Sequence, residues 1–463
     1  MTSTATETGT SYGPELLVRL RGGRRRAQLE DRLRELVRDR TLVAGERMPS
    51  SRALAGDLGV SRRLVVEAYA QLLAEGYLVA RQGAGTYVAD AASIDDAPAS
   101  VPASGAPQFD FFPGAPDLAA FPRTQWLRAM REVLRTAPND AFAYPDPRGA
   151  PDLRRALSAY LRRVRGVVAE PDAIVVCAGA TQGLALLGRA LVASGTTAID
   201  VEDPGLPPHR AVLAYAGLDV RGARVDEQGL DVASLRSPVV LSTPAHQCPT
   251  GVVLSPQRRG ELVRWARDGG TVIEDDYDAE FRYDRAPLGA LQGLAPDRVV
   301  YLGTTSKTLA PGLRLGWLVV PVSLLDAVVA AKAFDDLGNA TLEQLVLARL
   351  LETSAYDRHL RSARRRNRAR RDALIAAVAR ELPDARVSGI SAGLHALVRL
   401  PRAVELHALL TATSERSLGI YPLNFHQIEL APEVDALVMG YANLSEPAIA
   451  EGVRRLSEAL DAL

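Results

Sequence analysis

The amino-acid sequence predicts an α/β chain of two folded parts. One is a small N-terminal helical domain closed by a two-stranded hairpin. The other is a large domain built on a mostly parallel sheet sandwiched by helices. Three observations point to this division. Residues 24–89 run through three amphipathic helical patterns and then two short strand patterns around a glycine-rich tip. Residues 91–108 are rich in Ala, Ser, Pro and Asp with almost no large apolar side chain, so they cannot bury a core and read as a tether. Beyond residue 109, apolar strand-like runs alternate with helical patterns, as parallel strands joined by crossover helices do. At 463 residues the chain is also long for a single core. The expected parts are therefore 14–90, a linker over 91–108, and 109–463.

Bulk properties narrow the function classes. Lys plus Arg and Asp plus Glu each number 55, a net charge of zero, which argues against a protein that coats nucleic acid but can hide local asymmetry. The two cysteines, Cys177 and Cys248, are far apart and in no ligand spacing, so neither a disulfide framework nor a metal site is expected. Residues 1–13 lack the basic start and apolar run of a secretory signal, and no stretch approaches a membrane span. A cytoplasmic location is expected.

In the small part, Leu29, Leu33, Leu36 and Val37 share one helical face. Ser50 and Ser51 are candidate caps for a short second helix that Gly59 ends, and Ser61 caps a third. That third helix turns Val65, Ala68, Tyr69 and Leu72 inward and leaves Arg62 and Arg63 exposed in its first turn. Strands are expected over 77–80 and 86–89. This is the plan of a winged helix-turn-helix, which sets the start of its second motif helix in the DNA major groove. Residues 24–89 hold twelve Arg against eight Asp plus Glu, a surplus of four. The segments Gly45-Glu-Arg-Met-Pro-Ser-Ser-Arg52, Leu58-Gly-Val-Ser-Arg62 and Gly83-Ala-Gly-Thr-Tyr-Val88 closely resemble the GntR-type winged helix. The resemblance implies operator DNA as a partner, with Arg52, Ser61, Arg62, Arg63, Gly83 and Gly85 as its contacts.

In the large part, strand-like runs are expected over 173–177, 197–201, 239–242, 271–274, 299–302 and 317–320, and ligands of such sheets bind beyond the C-terminal strand ends. Ala178-Gly-Ala-Thr-Gln-Gly183 follows the first run and opens a helix, where backbone N–H groups and the positive dipole end suit a phosphate. Thr271-Val-Ile-Glu-Asp-Asp-Tyr-Asp278 ends a strand in carboxylates, which fits a polar strand end, a magnesium site or the partner of a protonated ring nitrogen. Lys307 is one of two lysines in the chain, the other being Lys332. A lysine kept between small hydroxyl residues in a chain that otherwise uses arginine suggests a need for an amine able to lose its proton, although a surface loop lysine is the plain alternative.

Gly303-Thr-Thr-Ser-Lys-Thr-Leu-Ala-Pro-Gly-Leu-Arg-Leu-Gly316 and Glu274-Asp-Asp-Tyr-Asp-Ala-Glu-Phe-Arg-Tyr283 resemble the cofactor segments of fold-type I pyridoxal-phosphate proteins, the aminotransferase-like fold, and within it the MocR group of bacterial regulators. The resemblance implies pyridoxal 5′-phosphate as cofactor and a Schiff base at Lys307. It gives the phosphate to Ala180, Thr181, Thr304 and Arg314, with Thr305 and Ser306 in reach, the ring nitrogen to Asp275, and the phenolic oxygen to Tyr277. Spacing alone does not separate Asp275 from Asp276. Tyr144 is expected to reach the phosphate of the neighbouring subunit, which implies a homodimer. Three positions depart from the aminotransferase pattern: Leu206 stands where an aromatic usually covers the ring, Cys248 beneath it, beside His246, and Val438 where an arginine takes the substrate carboxylate. The expectation is a DNA-binding regulator responsive to pyridoxal phosphate or an amine, one that governs vitamin B6 metabolism or amine catabolism. It is not expected to be an enzyme beyond a residual half-transamination; an aminotransferase with an autoregulatory DNA head is the alternative.

Overall fold

The computed structural model describes residues 24–39, 41–81, 84–89, 107–284 and 288–463. They divide into two compact units, one within residues 1–104 and one within 105–463. The linker expected over 91–108 lies, apart from its last two residues, outside the described residues.

The described residues of the small unit form three helices, α1 (Arg25–Arg38), α2 (Ser51–Leu58) and α3 (Arg62–Ala74), and an antiparallel pair, β1 (Leu78–Arg81) and β2 (Gly85–Val88). The strands sit one residue from the expected positions. Leu29, Leu33 and Leu36 meet Leu54, Val65, Ala68, Leu72, Leu78 and Val88 in one core. Ser50 caps α2 by accepting from the Ala53 amide at 3.1 Å, and Ser61 caps α3 by accepting from Leu64 at 3.3 Å. Ser51, the other expected cap, instead accepts from Arg62 Nε at 3.4 Å. Tyr69 donates to the Pro49 carbonyl at 3.0 Å and so ties α3 to the turn before α2.

The large unit opens with β3 (Phe109–Asp110), α4 (Arg123–Thr136) and α5 (Pro151–Arg165). Its central sheet comprises β4 (Ile174–Cys177), β5 (Ala198–Asp203), β6 (Asp219–Asp226), β7 (Gly229–Leu230), β8 (Val239–Ser242), β9 (Thr271–Asp276), β10 (Val299–Thr304) and β11 (Gly316–Val319). Their order is β4-β11-β10-β9-β8-β5-β6-β7. The sheet is parallel apart from β11, antiparallel to both neighbours, and the short edge strand β7. Strand alternation feeds two cores: Val300 and Leu302 enter a cluster with Leu184, Leu187 and Val328, while Tyr301 enters the opposite one with Leu157 and Trp317. The first cluster is roofed by α6 (Ala180–Ala193) and α9 (Val322–Asp336); α7 (Pro207–Tyr215), α8 (Pro256–Arg267), α10 (Thr341–Glu352) and α11 (Ala355–Glu381) complete the cover.

A second, antiparallel sheet follows, which the strand pattern did not anticipate. It consists of β12 (Arg386–Ser388), β13 (His395–Glu405) and, after α12 (Leu406–Ser414) and β14 (Leu418–Gly419), β15 (Glu433–Gly440), with α13 (Glu446–Asp461) closing the chain. No helix among the described residues is long and apolar enough to cross a membrane.

Candidate functional site

Register brings the C-terminal strand ends together. Cys177 of β4 and Thr304 of β10 both pair with Gly316 of β11, and Asp276 of β9 pairs with Gly303. Gly179 follows β4 with a positive φ of 84° and starts α6 without a side-chain cap, so the amides of Ala180 and Thr181 open toward this edge. Arg314 sits in the left-handed region, at φ 51°, and this turns its guanidinium onto Gly179. A Cβ at residue 179 would lie 3.2 Å from its terminal nitrogens, and Arg314 also donates to the Ala178 carbonyl. Thr304 Oγ1 donates to Ser306 Oγ at 2.9 Å and accepts from the Ser306 amide at 3.1 Å, shaping the turn that presents Lys307. Thr305, read as within reach of a phosphate, is instead fully buried with its hydroxyl on the Leu315 carbonyl at 3.0 Å.

The Lys307 side chain lies along Gly114, where a Cβ would stand 3.0 Å from Nζ. Burial lowers its pKa, against the pull of Cys248, Asp278 and Asp275. The other lysine, Lys332, is fully buried and paired with Asp336 on its own helix, a structural role.

Asp275 and Asp276 separate cleanly. Asp276 is bound by Arg165 at 2.7 and 3.0 Å and by Tyr301 at 2.6 Å. Asp275 is 2% exposed and neither carboxylate oxygen has a hydrogen-bond partner among the described residues. Burial, reinforced by Asp276 and Asp278, pushes its carboxyl up to about 8. By contrast the buried Glu202 accepts from Ser242, from the amide and hydroxyl of Thr243, and from Gln247.

His209 was not singled out in the sequence. Its Nδ1 stands 3.5 Å from Asp275 Oδ2, but burial, with the nearby Lys307 charge, depresses it to about 4, so at neutral pH the imidazole is uncharged and the contact is not an ion pair. The only signal in the chain was its place in the first turn after two prolines.

Tyr277 donates to the His246 carbonyl at 3.1 Å, and its hydroxyl neighbours the Cys248 thiol. His246 Nδ1 meets Asp278 at 2.9 Å, and its ring lies 5.2 Å from that of His395. Leu206, His209, Thr243 and Cys248 line one small pocket. Val438 is fully buried in β15 with Leu397, Leu423 and Ala436. It pairs with Leu397, two residues from His395 on β13, so both face the same side of the small sheet. Tyr144 is 88% exposed.

In the small unit, Arg52 is exposed in the first turn of α2, and Arg62 and Arg63 in the first turn of α3. Arg63 holds Glu67 at 2.7 Å with its side chain 88% exposed. Gly85 begins β2 at φ 112° against the side chain of Arg47, a basic residue the sequence reading left unassigned. Gly83 lies outside the described residues.

Residues 25–88 match the family of bacterial regulatory proteins of the gntR type, and residues 112–456 match aminotransferase class I and II. The chain is 32% identical to the probable rhizopine catabolism regulatory protein MocR of Rhizobium meliloti, covering 94% of each chain. It is also 32% identical to the pyridoxine biosynthesis transcriptional regulator PdxR of Corynebacterium glutamicum, covering 94% of this chain and 95% of that one. Among solved structures it resembles the α-aminoadipate aminotransferase LysN of Thermus thermophilus, crystallised with N-(5′-phosphopyridoxyl)-L-leucine, with TM-score 0.69 and 26% identity over 76% of this chain and 92% of that one. A gntR-type winged helix joined to an aminotransferase-like α/β domain, matched along nearly its whole length, makes this chain a member of the MocR group of transcriptional regulators.

Proposed function

We propose that this chain is a cytoplasmic, homodimeric regulator that binds operator DNA through its winged helix and pyridoxal 5′-phosphate in its large domain, and that the state of the second site sets the first. The observation that carries the cofactor reading is Asp275: a carboxylate with two partnerless buried oxygens calls for a donor, and a ring N–H is the donor this fold family brings there. The rest of the donor set fits. The Ala180 and Thr181 amides, the Thr304 hydroxyl and the Arg314 guanidinium would hold a phosphate. Tyr277 would turn its hydroxyl from the His246 carbonyl to the phenolic oxygen, Leu206 would supply an apolar cover, and Tyr144 of the partner subunit would complete the phosphate contacts.

When bound, pyridoxal phosphate supplies an electrophilic carbonyl and an electron-withdrawing ring. Lys307 provides the amine, and its lowered pKa raises the fraction of nucleophilic neutral form. Asp275 would hold a proton at the ring nitrogen while His209, uncharged, adds no competing cation. Val438, enclosed by apolar neighbours, offers no bidentate clamp for an α-carboxylate, a loss of about 2–4 kcal/mol for an amino-acid substrate. The signal is therefore pyridoxal phosphate itself or an amine without that carboxylate, with control of vitamin B6 metabolism favoured over amine catabolism. Occupancy would favour one arrangement of the dimer and so change the spacing of the two DNA-reading heads.

The test is binding to DNA from upstream of the chain's own gene, with and without pyridoxal phosphate, for the wild type and Lys307→Ala. A cofactor-dependent change that Lys307→Ala loses is expected; binding indifferent to both would overturn the proposal. The likeness to LysN keeps a second reading in view, an aminotransferase with a DNA head. Sustained turnover with a keto acid would establish it.

A further inference from the structure

We infer that the large domain carries a second ligand site, separate from the Lys307 site, that takes a small phosphomonoester with a ring body. The site is a cleft of about 530 Å³ between the C-terminal half of α5 and the first turns of α11. That volume lies within the range of sites that enclose small molecules, roughly 300–1,000 Å³.

Its charge is unbalanced. Four arginines line it, Arg163, Arg165, Arg361 and Arg364, against Asp357 and Glu280. Two of the four are committed: Arg165 to Asp276 at 2.7 and 3.0 Å, and Arg163 to Asp357 at 2.9 and 3.2 Å. Arg364 uses only Nε, on the Glu280 carbonyl, which leaves its terminal nitrogens available. Arg361 has no hydrogen-bond or ion-pair partner among the described residues. These two residues are three apart on one helix, so their side chains project from neighbouring positions on the same face. Paired guanidinium forks are the side-chain arrangement that matches phosphate oxygens.

The walls indicate the rest of the ligand. Tyr160, Val164 and Leu360 are the apolar lining, and the Tyr160 ring is fixed edge-on to Tyr356 with centroids 5.4 Å apart. The Arg163 guanidinium lies 5.6 Å from the Tyr160 ring centroid, so a flat body would share that wall with it and set its anionic end at Arg361 and Arg364. Glu280 would oppose an anion, but burial lifts its carboxyl to about 7, with Asp276 adding to the rise, so the repulsion is partly relieved at neutral pH. The cleft is tied to the strand that carries Asp275, on the opposite face of the sheet: Arg165 lines the cleft and holds Asp276, the residue after Asp275.

The site is tested by calorimetric titration of full-length protein with phenyl phosphate at fixed ionic strength, in the wild type, Arg361→Ala, Arg361→Ala/Arg364→Ala and Arg314→Ala. Arg361 is exposed, so its loss leaves the fold intact, which an unchanged melting temperature would verify. Loss of a charge-assisted contact should weaken binding about tenfold in Arg361→Ala and further in the double variant. Arg314→Ala, which alters only the cradle at Gly179, should keep the site. A titration that follows Arg314 and ignores Arg361 would overturn the inference, as would the absence of any phenyl phosphate binding. Neither outcome depends on whether Lys307 takes pyridoxal phosphate.

Discussion

Asp275 and Asp276 are consecutive residues of one strand, both buried, yet only Asp276 is hydrogen-bonded. Arg165 and Tyr301 satisfy Asp276, whereas Asp275 is left with two bare oxygens beside the Lys307 pocket. Strand alternation sends the two side chains to opposite faces of the sheet. One face holds a completed ionic network and the other an unfinished site.

The two carboxylates should therefore fail differently. Asp276→Ala strands Arg165, 1% exposed, without its partner, and a buried pair broken on one side costs about 3–5 kcal/mol. Urea unfolding of the large domain should register that loss. Asp275→Ala should leave unloaded stability equal or higher while weakening pyridoxal phosphate binding. Equal destabilisation by both would contradict this division of roles.

Part of the pH dependence of the unloaded protein follows from the same residue, beside that of Glu280, which burial also lifts. Burial holds the Asp275 carboxyl up at about 8 in the fold, well above the ordinary carboxylate range, so the folded state keeps a proton that the unfolded chain releases. The stability this group contributes is complete below about 4 and is lost as the pH rises through about 8. His209, depressed to about 4, acts oppositely, its share being lost as the pH falls from about 6.5 to 4, so the informative slope lies above about 6.5. Asp275→Asn should flatten that slope, recovering on the order of a few kcal/mol near pH 9. Thermal melts without cofactor check it, and parallel profiles for the two proteins would refute it.

Where sequence and structure agree, the physical signal was local. Strands β8 and β10 announce themselves as apolar runs, and β9 through Val272 and Ile273 ahead of its carboxylates, because both faces of a parallel sheet are covered. Strand β6, Asp219-Val-Arg-Gly-Ala-Arg-Val-Asp226, was missed because it lies beside the edge strand β7 and exposes Asp219, Arg221 and Arg224, leaving no apolar run to detect. Lys307, Arg314 and the start of α6 could be read because each stands in a short motif. The approach of His209 to Asp275 joins positions 66 residues apart, and no local pattern encodes it. Spacing alone did not separate Asp275 from Asp276; the position of Arg165, on another element, says which of them meets the pocket.

Lys307 can be examined apart from DNA. Lys307→Arg keeps a cation at the position but cannot condense with a carbonyl. The wild type should gain a visible absorption band on adding pyridoxal phosphate, and both Lys307→Arg and Lys307→Ala should fail to. A band of full intensity in either variant would move the reactive amine elsewhere.

In the winged helix, Arg63 is held by Glu67 across one turn of α3, with its guanidinium still largely in solvent. If Arg63 meets a DNA phosphate, that contact must compete with Glu67, and a solvent-exposed ion pair of this kind is weak. Glu67→Gln should therefore tighten operator binding by about two- to fivefold, combining a freed arginine with one fewer repulsive charge near the backbone. Arg63→Ala should weaken it and reduce the slope of log K against log salt by about 0.9 for the lost phosphate contact. Arg62, anchored only by a 3.4 Å bond to Ser51, should behave like Arg63 in the salt titration but gain nothing from Glu67→Gln. Binding measured across a salt series for the four proteins separates these effects. An unchanged slope in both arginine variants would place the DNA contacts elsewhere on the small unit.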